Sequence, residues 1–286
     1  MAIVLDNITY TYGVGTPFEK TALHGVSLTV ENGEFLGIIG HTGSGKSTFV
    51  QHLNGLLHPT TGTVTVNGVD ISASTEEAKK MRHKVGMVFQ YPEHQLFEET
   101  IAEDIAFGPK NLGLSADEVE ERVRDAMKFV GLDYDTYAER SPFHLSGGQM
   151  RRVAIAGVVA MDPDFLVLDE PSAGLDPFGR EEIFEEIIRL HKEKGITVIL
   201  VSHNMEDISR MASRLVVLDK GRIVLDGEPM DIFNNHRDEL QAVGVDVPPV
   251  SVTMEYLREQ GLDVSNRVLS VDDAVEAILE GGSHVK

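Results

Sequence analysis

"GEFLGIIGHTGSGKSTFV", residues 33–50, decides the fold. Its first half is apolar without alternation at Leu36, Ile38 and Ile39. Such a run suits a strand covered on both faces, as strands of parallel sheets are. The second half satisfies G-x-x-x-x-G-K-[ST] from Gly40 to Ser47, after a strand and before a helical pattern, the context that gives a phosphate-binding loop its meaning. Glycines allow successive backbone N–H groups to converge on phosphate oxygens. The expected contacts are Gly40, His41, Thr42, Gly43, Ser44, Gly45, Lys46, Ser47 and Thr48. Lys46 would reach the β- and γ-phosphates, and the Ser47 hydroxyl would ligate Mg2+.

Working outward, strand-like runs recur at 84–90, 165–170, 196–203 and 214–228, the last folded back at "DKGR" (219–222). Helical patterns at 46–57 and 179–194 alternate with them, a βαβ rhythm. From 91 to 161 the pattern is helical alone. One stripe carries Val119, Val123, Met127 and Val130, and the opposite face offers the i,i+4 pairs Glu118–Arg122 and Glu120–Arg124. "AIVLDNITYTY" (2–12) reads as an N-terminal strand. After about residue 236 two short amphipathic helices follow a Pro-Pro stop. The predicted fold class is α/β: a P-loop NTPase with a mainly parallel sheet core, an N-terminal antiparallel β subdomain, an inserted α-helical subdomain (91–161) and a small C-terminal helical extension. The domain predicted to carry the phosphate loop spans 1–235 and the extension 236–286.

Bulk properties narrow the function. The 286 residues carry a formal charge of −21, and their 25 basic residues are dispersed, which weighs against a nucleic-acid partner and against unaided adhesion to anionic lipid. No apolar run reaches the ~18 residues of a membrane span, so no direct membrane insertion is expected. Secretory leader features are lacking after Met1, and there is no cysteine, which excludes disulfides, thiolate metal sites and Cys nucleophiles. The expected location is cytoplasmic, with any membrane attachment made through another protein.

"FLVLDEPS" ends an apolar strand on Asp169 and Glu170, at the carboxyl edge where open α/β sheets gather ligands. Asp169 is expected in the Mg2+ shell, and Glu170 is expected to orient or deprotonate the attacking water. A solvated strand end is the plain alternative for a lone acidic pair. His203, after "ITVILVS", would donate to the γ-phosphate, and Gln90, after "GMVF", would ligate Mg2+ or its water through its carbonyl oxygen. Each is weak alone. Together with Ser47 and Asp169 they belong to one edge of one sheet.

"HLSGGQMRRVAIAG" (144–157) is a second glycine-rich helix entrance, without a lysine. Ser146 and Gln149 fit a capping box. A cap does not need Gly147 and Gly148, whose lack of a side chain lets an anion approach a helix N-terminus. Both readings stand on the residues alone.

Taken in order, "GHTGSGKS", Gln90, "LSGGQ", "FLVLDE", "SAGLD" and "SH" resemble the nucleotide-binding subunit of ATP-binding-cassette (ABC) ATPases over residues 1–235. The resemblance implies that two subunits meet head to tail, so that Ser146, Gly147, Gly148 and Gln149 of one close on the γ-phosphate of ATP held by the other. It also implies that Tyr12 stacks on adenine, with Tyr10 and Phe18 as alternatives, that 172–176 contacts the partner, and that Gln90 senses the γ-phosphate. Catalysis would rest on Glu170, His203 and Lys46, with ATP and Mg2+ bound and Mg2+ held by Ser47, Gln90 and Asp169. Residues 90–114 with "DEPSAGLDPFGR" resemble ATPases of energy-coupling-factor (ECF) importers of vitamins and metal ions. That implies a second ATPase subunit, identical or paralogous, a transmembrane coupling subunit contacted through 92–99, and a substrate-binding membrane subunit. Residues 91–110 as a plain surface helix, the extension as a dimer-stabilising or a solvent-facing element, another ABC importer, and a DNA-maintenance ABC ATPase are the competing readings. The short 48–144 interval and the acidic charge weigh against the last.

Overall fold

The computed structural model describes residues 1–265 and 267–282. Among the described residues ten strands form two sheets. β1 (Ala2–Tyr12), β2 (Lys20–Glu31), β4 (Thr61–Val66) and β5 (Val69–Asp70) make an antiparallel sheet in the order β2-β1-β4-β5. β3 (Phe35–Ile39), β6 (Val85–Val88), β7 (Phe165–Asp169), β8 (Thr197–Val201), β9 (Arg214–Asp219) and β10 (Arg222–Gly227) make the second, in the order β10-β9-β3-β8-β7-β6. Every pairing from β9 to β6 is parallel, and only β10 runs antiparallel. The expected α/β architecture and its N-terminal antiparallel sheet are both present.

The burial of each strand follows its sequence. All positions of β3, β6, β7 and β8 are buried, whereas the edge strand β10 alternates exposed and half-buried residues. One face of the large sheet packs on the helical subdomain through Leu166, Leu168, Ile105, Met127 and Ile155. The other packs on the antiparallel sheet and the helix after the phosphate loop, through Ile38, Val167, Phe49 and Leu5. The phosphate loop therefore leaves a strand wedged between two cores.

Helix ends show the local chemistry. The helix Lys46–Leu53 stops short of the predicted Leu57, because Gly55 turns left-handed at φ +72° after the capping Asn54. The helix Pro177–Lys194 begins two residues early: the Asp176 carboxylate accepts from Gly179 N–H at 2.7 Å, and Pro177 fills the first turn. Between 91 and 161 lie two 3-10 turns, Pro92–Gln95 and Pro142–His144, and the helices Ile101–Asn111, Ala116–Phe129, Tyr134–Tyr137 and Gly147–Val159. Val119, Val123 and Met127 are buried as expected. Of the two predicted ion pairs, Glu120–Arg124 forms at 2.8 Å. Glu118–Arg122 does not: the Glu118 carboxylate caps its own helix through Ser115, and Arg122 reaches Asp162 at 3.0 Å. A first-turn carboxylate gains more from orphan N–H groups than from an exposed ion pair.

Among the described residues the C-terminal segment contributes three helices, Arg237–Ala242, Pro249–Glu259 and Val271–Gly282. The first was not predicted, and Pro249 opens the second rather than merely ending what precedes it. Met254, Val264, Val268 and Ala274 form a small core of their own, while Leu240, Val245 and Leu269 join the main core. The segment is therefore tied to the sheet domain at Leu240, Val245 and Leu269 and packs on itself between them.

Candidate functional site

The carboxyl edge of the parallel strands opens into a cavity of about 990 Å³. Gly40, His41, Thr42, Gly43, Gly45, Lys46, Ser47 and Thr48 line it, with Tyr12, Gln90, Asp169, Glu170 and His203. β3 delivers the phosphate loop, β7 delivers Asp169 and Glu170, and the turns after β6 and β8 deliver Gln90 and His203. These strands are hydrogen-bonded neighbours, which is why residues far apart in sequence meet.

The loop is built around close backbone approaches. Gly40 has φ +153°, and a Cβ there would stand 2.3 Å from the Leu218 carbonyl oxygen. Ser44 lies buried, its own carbonyl accepting from Gly221 N–H at 2.8 Å, and its hydroxyl has no hydrogen-bond partner among the described residues. Ser44, expected among the phosphate contacts, is not among the residues that line the cavity; its hydroxyl lies beside Gly40, where a Cβ would stand 2.7 Å from it. The Lys46 ammonium donates to the carbonyls of Gly40 at 2.6 Å and His41 at 3.1 Å. Burial pulls its pKa down, and the charges of Glu170 and Asp169 oppose that. His41 lines the cavity, and its ring Nε2 lies 2.9 Å from the Asp219 carboxylate.

Asp169 is 8 % exposed, and burial raises its carboxyl pKa against the lowering effects of a Ser47 hydrogen bond and the Lys46 charge. A buried carboxylate beside a hydroxyl, with the Gln90 amide on the same cavity wall, is an all-oxygen donor set of the kind that suits Mg2+. Glu170 sits in the left-handed region at φ +53°, and His203 Nδ1 lies 2.7 Å from its Oε2. Burial raises the Glu170 pKa, and the His203 charge and hydrogen bond work against it. An imidazole that donates from Nδ1 to Glu170 can also donate to a phosphate only as the imidazolium, because neutral histidine carries one N–H.

Tyr12 lines the cavity, its hydroxyl 3.1 Å from Thr48 Oγ1 and its ring edge-on to Tyr10 at 4.8 Å. Phe18 is 86 % exposed and is not among the lining residues. Sequence reasoning missed several wall residues: Lys20, Thr21 and Ala22 of β2, Lys220 and Gly221 of the β9–β10 turn, and Gly244, Val245 and Asp246 of the C-terminal segment. "DKGR" already suggested the turn, but nothing in residues 236–250 signals a nucleotide-site wall; the chain simply returns there, placing Gly244 against His41.

Ser146, Gly147, Gly148 and Gln149 are not brought to this cavity. Ser146 Oγ accepts from Gln149 N–H at 3.3 Å and Gln149 Oε1 accepts from Ser146 N–H at 3.1 Å, so the capping box is real. Around Gly147 and Gly148 a Cβ would meet nothing within 4 Å, and neither has a positive φ. Within this chain, neither packing nor backbone conformation requires glycine at these two positions.

Residues 23–173 match the family model described as ABC transporter. The chain is 53% identical over 280 residues to the energy-coupling factor transporter ATP-binding protein EcfA2 of Clostridium tetani, covering 98% of this chain and 97% of the relative. Among solved structures it resembles cbiO1 of Clostridium perfringens, part of the ABC transporter complex cbiONQ, with a TM-score of 0.73 and 36% identity, covering 88% of this chain and 98% of that one. A cassette solved as a dimer in a post-hydrolysis state with ADP and Pi matches with a TM-score of 0.70 and 31% identity over 79% of this chain and 98% of its own. With the phosphate loop, the paired carboxylates and the second glycine entrance standing where they do, the chain belongs to the ABC transporter ATPases, among their energy-coupling-factor ATP-binding proteins.

Proposed function

We propose that the chain hydrolyses ATP at a site shared between two ATPase subunits and thereby drives an ECF-type importer of a vitamin or metal ion. One observation carries this reading: the phosphate loop, Asp169, Glu170 and His203 line one cavity, while the Ser146–Gly148 entrance stands outside it with open space at both glycines. A helix N-terminus with no use for its glycines at home suits a phosphate bound to another molecule.

In this mechanism Tyr12 stacks on adenine, the loop N–H groups and Lys46 hold the phosphates, and Ser47, Asp169 and Gln90 would hold Mg2+. When bound, the cation neutralises phosphate charge. Glu170, its proton affinity raised by burial, accepts the proton of the attacking water, and His203 both orients Glu170 and donates to the γ-phosphate. The partner's copy of the 146–149 entrance completes the cage, so ATP favours the closed pair and hydrolysis releases it.

The membrane partner is proposed to seat on 92–99. There Asp104 accepts from Phe97 N–H and Glu98 N–H, both at 2.9 Å, fixing the loop on the helix Ile101–Asn111, and the exposed rings of Phe97 and Phe107 stand edge to face at 4.9 Å. No helix among the described residues is long and apolar enough to cross a membrane. The seat on 92–99 is proposed as the attachment, at the inner face of the cell membrane.

The test is Glu170→Gln. Turnover should fall by about 100-fold or more, the scale of a lost general base, while ATP affinity holds. Turnover near the wild-type rate would remove Glu170 from this role. A second measurement addresses the shared site: specific activity should rise with protein concentration, and a constant rate down to full dissociation would refute the composite cage.

A further inference from the structure

Arg151 is the largest fully buried side chain among the described residues, at 1 % exposure, and the mechanism above gives it no part. It lies one turn inside the helix Gly147–Val159. Its guanidinium is divided between two other segments. Nε and Nη2 donate to the two Glu93 carboxylate oxygens at 3.1 and 3.0 Å, and Nη1 donates to the Pro171 carbonyl at 2.9 Å. Glu93 belongs to the 3-10 turn Pro92–Gln95, two residues beyond Tyr91, which follows Gln90. Pro171 is bonded directly to Glu170.

Both segments leave the site through a strained residue. Tyr91 has φ +57° and Glu170 φ +53°, a region uncommon for any residue but glycine, asparagine and aspartate, and each is followed by proline, which restricts it further. Such conformations persist only where their surroundings over-determine them. Arg151 supplies part of that constraint at both places with one fork. Burial alone would push the Glu93 carboxyl up, but the Arg151 hydrogen bond, a backbone hydrogen bond at Glu93 and the charges of Arg151 and His94 together more than reverse it, so the pair is an ionic one.

We propose that Arg151 is a positioning residue for hydrolysis, whose buried fork makes the orientation of Glu170 depend on where the 146–149 helix entrance and the 92–95 turn stand. Displacing that helix when a second subunit docks, or that turn when a membrane partner moves, then re-aims Glu170 through the Pro171 carbonyl. A lysine there would keep the charge but not the planar fork that serves both partners at once.

This inference rests on Glu170 being the catalytic base, so Glu170→Gln serves as the reference. In the full-length chain assembled as its ATPase dimer, Arg151→Lys should lower kcat about tenfold or more, the consequence of misplacing a catalytic group by a fraction of an ångström. KM for ATP should stay near wild type, and kcat is read per folded dimer, because loosening a buried ion pair also lowers the melting temperature. Glu93→Gln should lower kcat in the same sense, and the double variant should lose less than the product of the two single losses, as residues sharing one interaction do. Wild-type kcat in Arg151→Lys, or a kcat loss that tracks only the loss of folded protein, overturns the proposal. If Arg151→Lys does not fold, Glu93→Gln decides: a lowered kcat with unchanged KM supports it, and unchanged kcat overturns it. Turnover surviving in Glu170→Gln would instead sink the reading of the site itself.

Discussion

His203 Nδ1 lies 2.7 Å from Glu170 Oε2, joining the turn after β8 to the end of β7 across the mouth of the site. The carboxylate is 14% exposed and the imidazole 77%, so the pair presents a buried acid to a solvated ring. Burial raises the Glu170 pKa, and His203 opposes it by charge and hydrogen bond. A base works only when deprotonated, so kcat should fall as pH drops through this raised value, above the ordinary carboxylate range. Replacing His203 by Gln removes the opposing charge and lets the Glu170 pKa climb further. The acid limb of the kcat–pH profile should therefore move to higher pH in His203→Gln, alongside a lower plateau. A limb that stays in place would show that the ring does not act on Glu170.

Gly148 has open space where a side chain would go and a helical backbone. Gly148→Ala should leave the melting temperature unchanged or higher, since alanine is favoured over glycine in a helix by about 0.5–1 kcal/mol. ATP binding to the isolated chain should also be unaffected. ATPase activity should nevertheless fall at least about tenfold, the scale of one lost phosphate donor or less, and in mixed dimers the loss should fall on the pocket opposite the variant. Lost stability with intact turnover would mean that the glycines serve the fold.

Tyr12 and Phe18 separate two of the adenine-stacking candidates. Tyr12 faces the cavity and is steadied by Thr48 and Tyr10, while Phe18 projects into solvent. Tyr12→Ala should weaken ATP binding about tenfold, within the roughly 1–3 kcal/mol of a base–aromatic stack, as titrated with a fluorescent ATP analogue. Phe18→Ala should bind as wild type does. The reverse pattern would move the adenine to the 13–19 loop.

The short-range physics of the site was legible beforehand. "GHTGSGKS" after an apolar run needs no partner segment to declare itself, because glycine spacing and strand burial are local properties. The same holds for "FLVLDE" and for the Ser146–Gln149 box, where three residues of separation set the geometry. Helix lengths were less legible: Gly55 ends one helix and Asp176 with Pro177 starts another, and a periodic pattern of apolar residues does not weigh a single capping side chain.

What the sequence by itself determined is the set of parts: a phosphate loop, a carboxylate pair, a second glycine entrance, and an α/β order to hold them. What only the tertiary structure decided is who meets whom across long separations. It paired His203 with Glu170 and His41 with Asp219, set Gly244, Val245 and Asp246 in the cavity wall, and divided Arg151 between Glu93 and Pro171. The physical reason is that local motifs are fixed by backbone hydrogen bonds and sterics within a few residues, whereas these contacts depend on strand order and on buried charges that must find partners wherever the packed chain offers them.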